Sequence, residues 1–357
     1  MNRENLYIHI GTQKTGSTTL QTILSKNKQK LLKEGICYLG RFPKLARRIR
    51  TVAWFDEPLA DELKSEIRYT VDSNLKKGVR TYVISNEKFS GDKMISYRNA
   101  GAVAETLKHA VKELPFNVKI IVYLRRQDTY IESTYAQKVY SGYTGTFDEF
   151  MEHFGEDDFH WDQFLDRYAK VFGIENLIVY PFDKKYLPES QSLIHHFGKT
   201  IGSEKLANYS EKAIANKRFT RNSLNIARIT NQHLGKYERR QFRGILKEHD
   251  EHLPNNTFFS TEERKRFLSN YRQSNQRVAE GYLNHSGDKL FSKPDYSKID
   301  AKRVDENPTS EELLTSLAQI TLNLNRKLRE EREANDKEKK TYRLMKKLRS
   351  RLRRLFR

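Results

Sequence analysis

A lysine between two glycines, Gly11, Lys14 and Gly16, followed by the hydroxyls of Ser17 and Thr18, makes Leu6–Leu20 (LYIHIGTQKTGSTTL) the stretch best equipped to hold an anion. The apolar run before it has the composition of a strand, and the run after it is helix-compatible. Strand, glycine-bearing loop and helix in that order form a phosphate cradle. Loop amides and the helix N-terminus aim donors and partial positive charge at one anion, and Lys14 adds a full charge. An unliganded strand-to-helix turn is the bland alternative. The glycines are spaced as in the nucleotide triphosphatase loop G-x-x-x-x-G-K-[ST], yet Ser17 stands at the lysine position and Lys14 lies inside the loop. A kinase or ATPase also needs a magnesium-binding aspartate at the end of a buried strand. The best such strand, Val118–Leu124 (VKIIVYL), ends instead in Arg125 and Arg126, which repel a metal and attract another phosphate.

These residues need a frame, and the rest of the chain supplies one in alternating pieces. Apolar runs at Ile36–Leu39, Arg80–Ser85, Val118–Leu124 and Asn176–Val179 read as strands. Helical runs lie between them: Ser17–Glu34 stopped by Gly35, Ala60–Lys76 ended by Gly78, and Ala102–Leu114 ended by Pro115. Arg41–Arg50 is basic and reads as irregular. Such alternation predicts an α/β protein, a P-loop-like three-layer fold with a central parallel sheet, plus a helical C-terminal extension. Ligands of these sheets sit beyond the carboxyl ends of the strands. That rule brings Gly11–Thr18, Asn86–Lys88 and Arg125–Ser133 to one edge. Glu87 follows a strand directly there and is positioned to act as a general base; it is equally suited to capping the next helix or pairing with a basic side chain. His9, inside the first strand, is the weaker choice and fits a core histidine.

KTGSTTLQ, Lys14–Gln21, resembles the 5'-phosphosulfate loop of the PAPS-dependent sulfotransferases (PAPS is 3'-phosphoadenosine 5'-phosphosulfate), and YLRRQDTYIESTYAQ, Tyr123–Gln137, resembles that family's 3'-phosphate motif. In that motif an arginine ending a strand is followed eight residues later by a helical serine, as Arg125 is by Ser133. Phe172–Leu187 and Leu193–Gly202 extend the likeness more loosely, so that it covers about the first 200 residues, one domain length. By pattern the nearest members are bacterial, carbohydrate-type enzymes. The resemblance implies that Lys14, Thr15, Gly16, Ser17 and Thr18 hold the 5'-phosphosulfate, that Arg125 and Ser133 grip the 3'-phosphate, and that no metal is required. It further implies a glycan or other hydroxyl acceptor, Lys14 stabilising the leaving phosphate, Glu87 as the base, and a late basic loop over the donor, for which Lys217, Arg218 and Arg221 are available. Many such loops carry histidine where this chain has Gln13, and threonine where it has Ser17.

With 357 residues, 37% hydrophobic and 31% charged, and a mean hydropathy of −0.82, the chain cannot be all core. Its net charge of +20 calls for anionic partners. Lys337–Arg357 holds 11 Lys and Arg against the single Glu338, so half of the excess lies in that segment. Cys37 is the only cysteine, which excludes an intrachain disulfide and a cysteine-based zinc site. The first residues carry no signal-peptide pattern and no apolar run reaches the roughly 20 residues of a membrane span, which together suit the cytoplasm.

The organisation expected is a PAPS-binding core at 1–205, a helical part of the same catalytic domain at 206–283, a linker at 284–308 and a basic tail at 309–357. Phe147, Phe150, Phe154, Trp161 and Phe164 are spaced to pack a helix pair. Leu313, Leu317, Ile320 and Leu324 form a short coiled-coil seam suited to self-association, and Met345, Leu348, Leu352 and Leu355 form a stripe among Lys and Arg. A basic amphipathic helix fits the inner face of an anionic membrane or an acidic polymer better than a specific nucleic acid. Two other classes remain: an ATP-dependent kinase in which Lys14 replaces the missing lysine, and a noncatalytic basic scaffold acting through its tail.

Overall fold

The computed structural model describes residues 4–73, 78–155, 157–183, 186–187, 193–209, 220–249, 258–283, 289–296, 309–311, 314–315, 317–322, 324–326 and 328–333. In chain order the first half comprises β1 (Glu4–Gly11), α1 (Ser17–Lys26), α2 (Lys28–Lys33), β2 (Ile36–Gly40), α3 (Pro43–Ile49), α4 (Glu57–Asp72), β3 (Thr81–Ser85), α5 (Ala100–Val111), β4 (Phe116–Leu124) and α6 (Gln127–Tyr140). There follow α7 (Phe147–Met151), α8 (Trp161–Phe172), β5 (Leu177–Pro181), α9 (Leu193–Ile201), α10 (Glu204–Ala207), α11 (Arg221–Thr230), α12 (Lys236–His249), α13 (Thr261–Ser269) and α14 (Arg272–Leu283).

All five strands are parallel, in the order β2-β3-β1-β4-β5. Ile8 of β1 sits opposite Ile84 on one side and Ile120 on the other. A parallel sheet with helical crossovers is buried on both faces, which is why its strands are apolar almost throughout. One face is covered by α1, α2, α9 and α10, whose Leu20, Ile23, Leu24, Leu31, Ile194, Phe197, Ile201 and Leu206 pack with Tyr38, Val83, Ile121 and Tyr123. The other layer is α4, α5 and α8 packed side by side, burying Leu63, Ile67, Val103, Leu107, Leu165 and Tyr168. The architecture is therefore α/β with helices flanking a parallel sheet.

Local differences from the sequence reading have simple causes. The long first helix breaks at Asn27, whose Nδ2 donates to the Ile23 carbonyl at 3.0 Å and closes α1. The segment read as irregular contains α3, started by Pro43 at its first turn, where the missing N–H costs nothing. Phe147, Phe150, Trp161 and Phe164 are buried as packing residues, but with rings of other elements rather than as one helix pair: Phe147 stacks on Phe258, and Trp161 and Phe164 lie against Tyr97, while Phe154 is half-buried.

By compactness the chain forms two units, one of residues 1–135, 148–216 and 259–303 and one of 136–147, 217–258 and 304–357. The helical block expected at 206–283 is thus divided, with α13 and α14 belonging to the sheet-bearing unit. In that unit residues 289–296, part of the expected linker, bury Leu290 and Phe291, and Ser292 hydroxyl donates to Asp183 at 2.5 Å. In the second unit Asn231 Nδ2 donates to the carbonyls of Val139 (2.7 Å) and Tyr143 (2.9 Å), and Phe147 stacks on Phe258. Lys217, Arg218, Leu313 and the tail beyond residue 333 lie outside the described residues. Within them, Ile320 is buried whereas Leu317 and Leu324 are exposed.

Candidate functional site

The chain leaves β1 to reach β2 and β3 on one side of it, then crosses to β4 and β5 on the other. The crevice at the carboxyl ends of β1 and β4 is therefore where the sheet changes direction, the usual place for a ligand in such folds. The register of β1 slips between His9 and Gly11 as the strand opens into the loop, a common irregularity beside functional sites.

Loop 11–16 is held by its own hydroxyls and by β4. Thr12 donates to the Tyr123 carbonyl through both its amide (2.9 Å) and its Oγ1 (3.1 Å), and Thr15 Oγ1 donates back to the Thr12 carbonyl at 2.6 Å. Lys14 and Gly16 take left-handed backbone angles, φ 69° and 82°. Such a conformation costs a non-glycine residue free energy, and it turns successive amides toward one point. Gly16 caps α1 with no side-chain acceptor, and the first turn has no acidic residue. The opening N–H groups of a ten-residue helix are thus left to whatever anion approaches. Ser17 is buried and its hydroxyl has no hydrogen-bond partner among the described residues, an arrangement that costs about 1–3 kcal/mol unless a ligand supplies one. Thr18, one residue on, is exposed.

Arg125 is the second anchor. It ends β4 and is only 7% exposed, and its guanidinium donates to the Lys14 carbonyl at 2.7 Å and to Thr129 Oγ1 at 3.1 Å. Its own carbonyl accepts from the indole of buried Trp161 at 2.9 Å, which fixes the backbone. No carboxylate pairs with it among the described residues. Arg126, expected to draw a phosphate as well, is committed elsewhere. It grips Asp128 with two bonds of 2.8 and 2.9 Å and reaches the Ser292 carbonyl at 2.9 Å. Ser133, two turns into α6, is half-buried.

Glu87 opens a short 3-10 turn, Glu87–Ser90, directly after β3. Its Oε2 accepts from Gln21 Nε2 of α1 at 2.8 Å, and among the described residues it forms neither a side-chain cap nor a close ion pair. Gly11 is indispensable to that closeness: at φ 99° a side chain is strained, and a Cβ there would lie 3.0 Å from Cβ of Glu87. His9 is fully buried. Its Nδ1 shares a hydrogen bond with Ser85 Oγ at 2.8 Å, rings of Tyr123 and Phe197 stand edge-on to it, and burial lowers its pKa to about 3. A neutral imidazole locked in the sheet fits the core role.

Gln13, where the resembled family often has histidine, has a structural task that spacing could not reveal. Its amide donates to the Gly91 carbonyl at 3.3 Å, and its Oε1 accepts from Ser90 Oγ at 3.2 Å and from the hydroxyl of buried Tyr97. Asn99 continues this network: Oδ1 accepts the Asp92 amide at 3.0 Å while Nδ2 donates to the carbonyls of Arg50 and Val52, both at 2.8 Å. The cradle is thereby tied to the end of α3. An Asn one residue before a helix is a capping signal in sequence, which hides this use.

Among the described residues no cluster of His, Cys, Asp and Glu is arranged to hold a metal, and no helix is long and apolar enough to cross a membrane. An open cavity of about 380 Å³ lies at the opposite edge of the sheet, lined by Phe116, Asn117 and Val118 among others, remote in the strands from the residues above.

No family model matches the chain. An uncharacterized protein of Archaeoglobus fulgidus is 30% identical over 169 residues, 46% of this chain and 46% of that protein. The chain thus spans about half the length of the curated relative it matches. The crystal structure of a sulfotransferase from Alicyclobacillus acidocaldarius is similar at 17% identity with a TM-score of 0.39, covering 67% of this chain and all of that one.

Proposed function

We propose that this protein is a sulfotransferase that moves a sulfuryl group from PAPS to a hydroxyl of an acceptor, a glycan being the class its sequence resemblance favours. The observation that carries the reading is Arg125: a nearly buried guanidinium, bonded to the cradle backbone, with no carboxylate among the described residues to neutralise it. A charge in that position is stable when a ligand supplies the counter-ion. The uncapped start of α1 and the unpartnered Ser17 hydroxyl, reached from the same loop, ask for a second anion. Two anion sites on one edge suit a nucleotide phosphorylated at both ends, and the sequence likeness of Lys14–Gln21 and Tyr123–Gln137 to the family's two phosphate motifs names it.

On this reading Lys14, the amides of Thr15–Thr18 and the hydroxyls of Ser17 and Thr18 bind the 5'-phosphosulfate. Arg125 and Ser133 bind the 3'-phosphate that separates PAPS from ATP. In the transfer the acceptor oxygen bonds to sulfur as the bond from sulfur to the 5'-phosphate oxygen breaks, and the acceptor proton passes to a carboxylate. Glu87 is that carboxylate, oriented by Gln21. Charge growing on the leaving phosphate is met by Lys14 and the helix start, so catalysis is chiefly positioning and electrostatic stabilisation.

Calorimetric binding of 3'-phosphoadenosine 5'-phosphate, compared with AMP and ATP, tests the donor site. The bisphosphate should bind at least tenfold tighter than AMP, and Lys14→Ala and Arg125→Ala should each weaken it by tenfold or more. Glu87→Gln should bind it normally and lose turnover by about 10²-fold or more. ATP with magnesium binding as well or better would overturn the reading in favour of a kinase.

A further inference from the structure

Of the eleven large apolar side chains exposed among the described residues, five fall within residues 314–328. The described residues there, 310–311, 314–315, 317–322, 324–326 and 328–333, are all helical, and every one of them except Ile320 is exposed. A helix in water owes most of its stability to an apolar face packed against something, and within its own chain this one packs little beyond Ile320. Leu314, Leu317, Leu324 and Leu328 are between 36% and 67% exposed. With Thr321 they follow spacings of three, four, three and four, the repeat of a coiled-coil seam. The seam expected from the sequence shares Leu317 and Leu324 with this stripe but not its other members: Ile320 is buried, and Leu313 lies outside the described residues. Leu322, also exposed, stands off the stripe.

We infer that residues 310–333 pair with the same residues of a second copy of this chain, parallel and in register. Charge selects that partner. Residues 310–333 carry five Glu against four Lys and Arg, a net −1 in a chain of +20. An anionic bilayer or polymer is drawn to the basic surfaces and not to this stretch, whereas two copies meet along it without net repulsion of the kind the rest of the chain would impose. The stripe is also its own complement. In a parallel pair each leucine meets its counterpart, and Thr321, the one polar residue within the stripe, meets Thr321 and fixes the register. Antiparallel pairings that keep the seam set Leu317 against Thr321 or Leu314 against Glu331, and so bury fewer leucines together. The association works against one cost: a parallel pair brings two copies of Lys337–Arg357, each with 11 Lys and Arg against Glu338, to the same end.

Analytical ultracentrifugation of the full-length protein over about 2 to 100 µM tests the pairing. Wild type should pass from monomer to dimer across that range. Because an apolar seam is opposed by like charge, the dimer should tighten about threefold or more between roughly 0.1 and 0.5 M salt, the reverse of an association held by ion pairs. Leu317→Glu/Leu324→Glu changes two exposed positions, so thermal unfolding should stay as in wild type while dissociation becomes at least about tenfold easier. Cysteine placement reads the direction. Under mild oxidation Leu314→Cys should link to itself, while wild type, whose only cysteine is the buried Cys37, stays unlinked. A monomer at every concentration, or a dimer that survives in the double glutamate variant, would overturn the inference. So would a mixture of tagged Leu314→Cys and untagged Leu324→Cys chains that links tagged to untagged in preference to like with like, since that is the antiparallel product.

Discussion

Arg125 and Arg126 are neighbours at the end of one strand, yet they belong to opposite kinds of environment. Arg126 enters a closed ion network. Asp128, fully buried, accepts from Arg126 and from Arg264 of α13, and Arg264 also bonds Glu132 at 2.8 Å. Burial by itself would raise the Asp128 pKa, but the two guanidinium groups outweigh it and hold the carboxyl below its ordinary range. Arg125 enters the cradle, where its partners are a carbonyl and a hydroxyl. One region is electrically complete without a ligand, and the other is complete only with one. On the proposed function, that difference separates a buried arginine that holds helices together from one that binds the donor, and it is invisible in the dipeptide itself.

The largest effect expected follows from it. Asp128→Ala leaves Arg126 without its carboxylate and Arg264 with Glu132 alone for two buried guanidinium groups, a type of change that costs about 3–5 kcal/mol. Arg125→Met removes an uncompensated charge and two hydrogen bonds to neutral groups, and should alter stability by no more than about 1 kcal/mol while abolishing tight binding of the bisphosphate. Urea unfolding of both variants without ligand measures the contrast. Equal losses of stability would mean that Arg125 is a structural residue like its neighbour.

The two regions also answer to acid in different windows. His9, beneath the cradle, has its pKa lowered to about 3 by burial, against 6.5 unfolded. Between those values the unfolded chain binds the proton and the folded one does not, so stability is full above about pH 6.5 and falls as pH drops toward 3. Asp128 has a depressed value, so its contribution is present above about pH 4, the unfolded carboxylate range, and is lost only below it. His9→Asn should reduce the slope of stability against pH between 6.5 and 4.5 by close to one proton, leaving the part due to His196, whose pKa burial lowers to about 4. Asp128→Asn should lower stability across that range without changing the slope. A wild-type slope in His9→Asn would show that the imidazole is not held neutral.

Strand order could not be read from the chain, but the strands themselves could, because a parallel sheet buried on both faces leaves unbroken runs such as VKIIVYL, and the sites lie at their carboxyl ends by a rule of topology. The placing of Lys14, Glu87 and Arg125 at that edge of the sheet was legible for that reason. What stayed hidden depended on long-range pairing. Nothing local marks Arg264 as the partner of Asp128, 136 residues away, or Asn99 as the clasp of Arg50. α3 was concealed by its charge, although Pro43 and the apolar Leu45, Ala46 and Ile49 gave a helix start and one buried face. Gln13 was judged by what it replaced, whereas its amide bonds to Gly91, Ser90 and Tyr97 explain it.

The smallest expected change in stability is also the sharpest test of the cradle as an incomplete region. Ser17 is buried at the first position of α1 with its hydroxyl unpartnered. Removing a buried hydroxyl that already lacks a partner forfeits no hydrogen bond and relieves its desolvation cost. Ser17→Ala should therefore leave the ligand-free protein as stable as wild type or up to about 1 kcal/mol more so, helped by the higher helix propensity of alanine. The same substitution should weaken the bisphosphate by about five- to tenfold, because the hydroxyl is then missing where the phosphate would have satisfied it. Thermal unfolding with and without the nucleotide gives both quantities from one preparation. Opposite signs in the two conditions would identify Ser17 as a group folded at a cost for a ligand, and a loss of stability in both would return it to the ordinary interior of the helix.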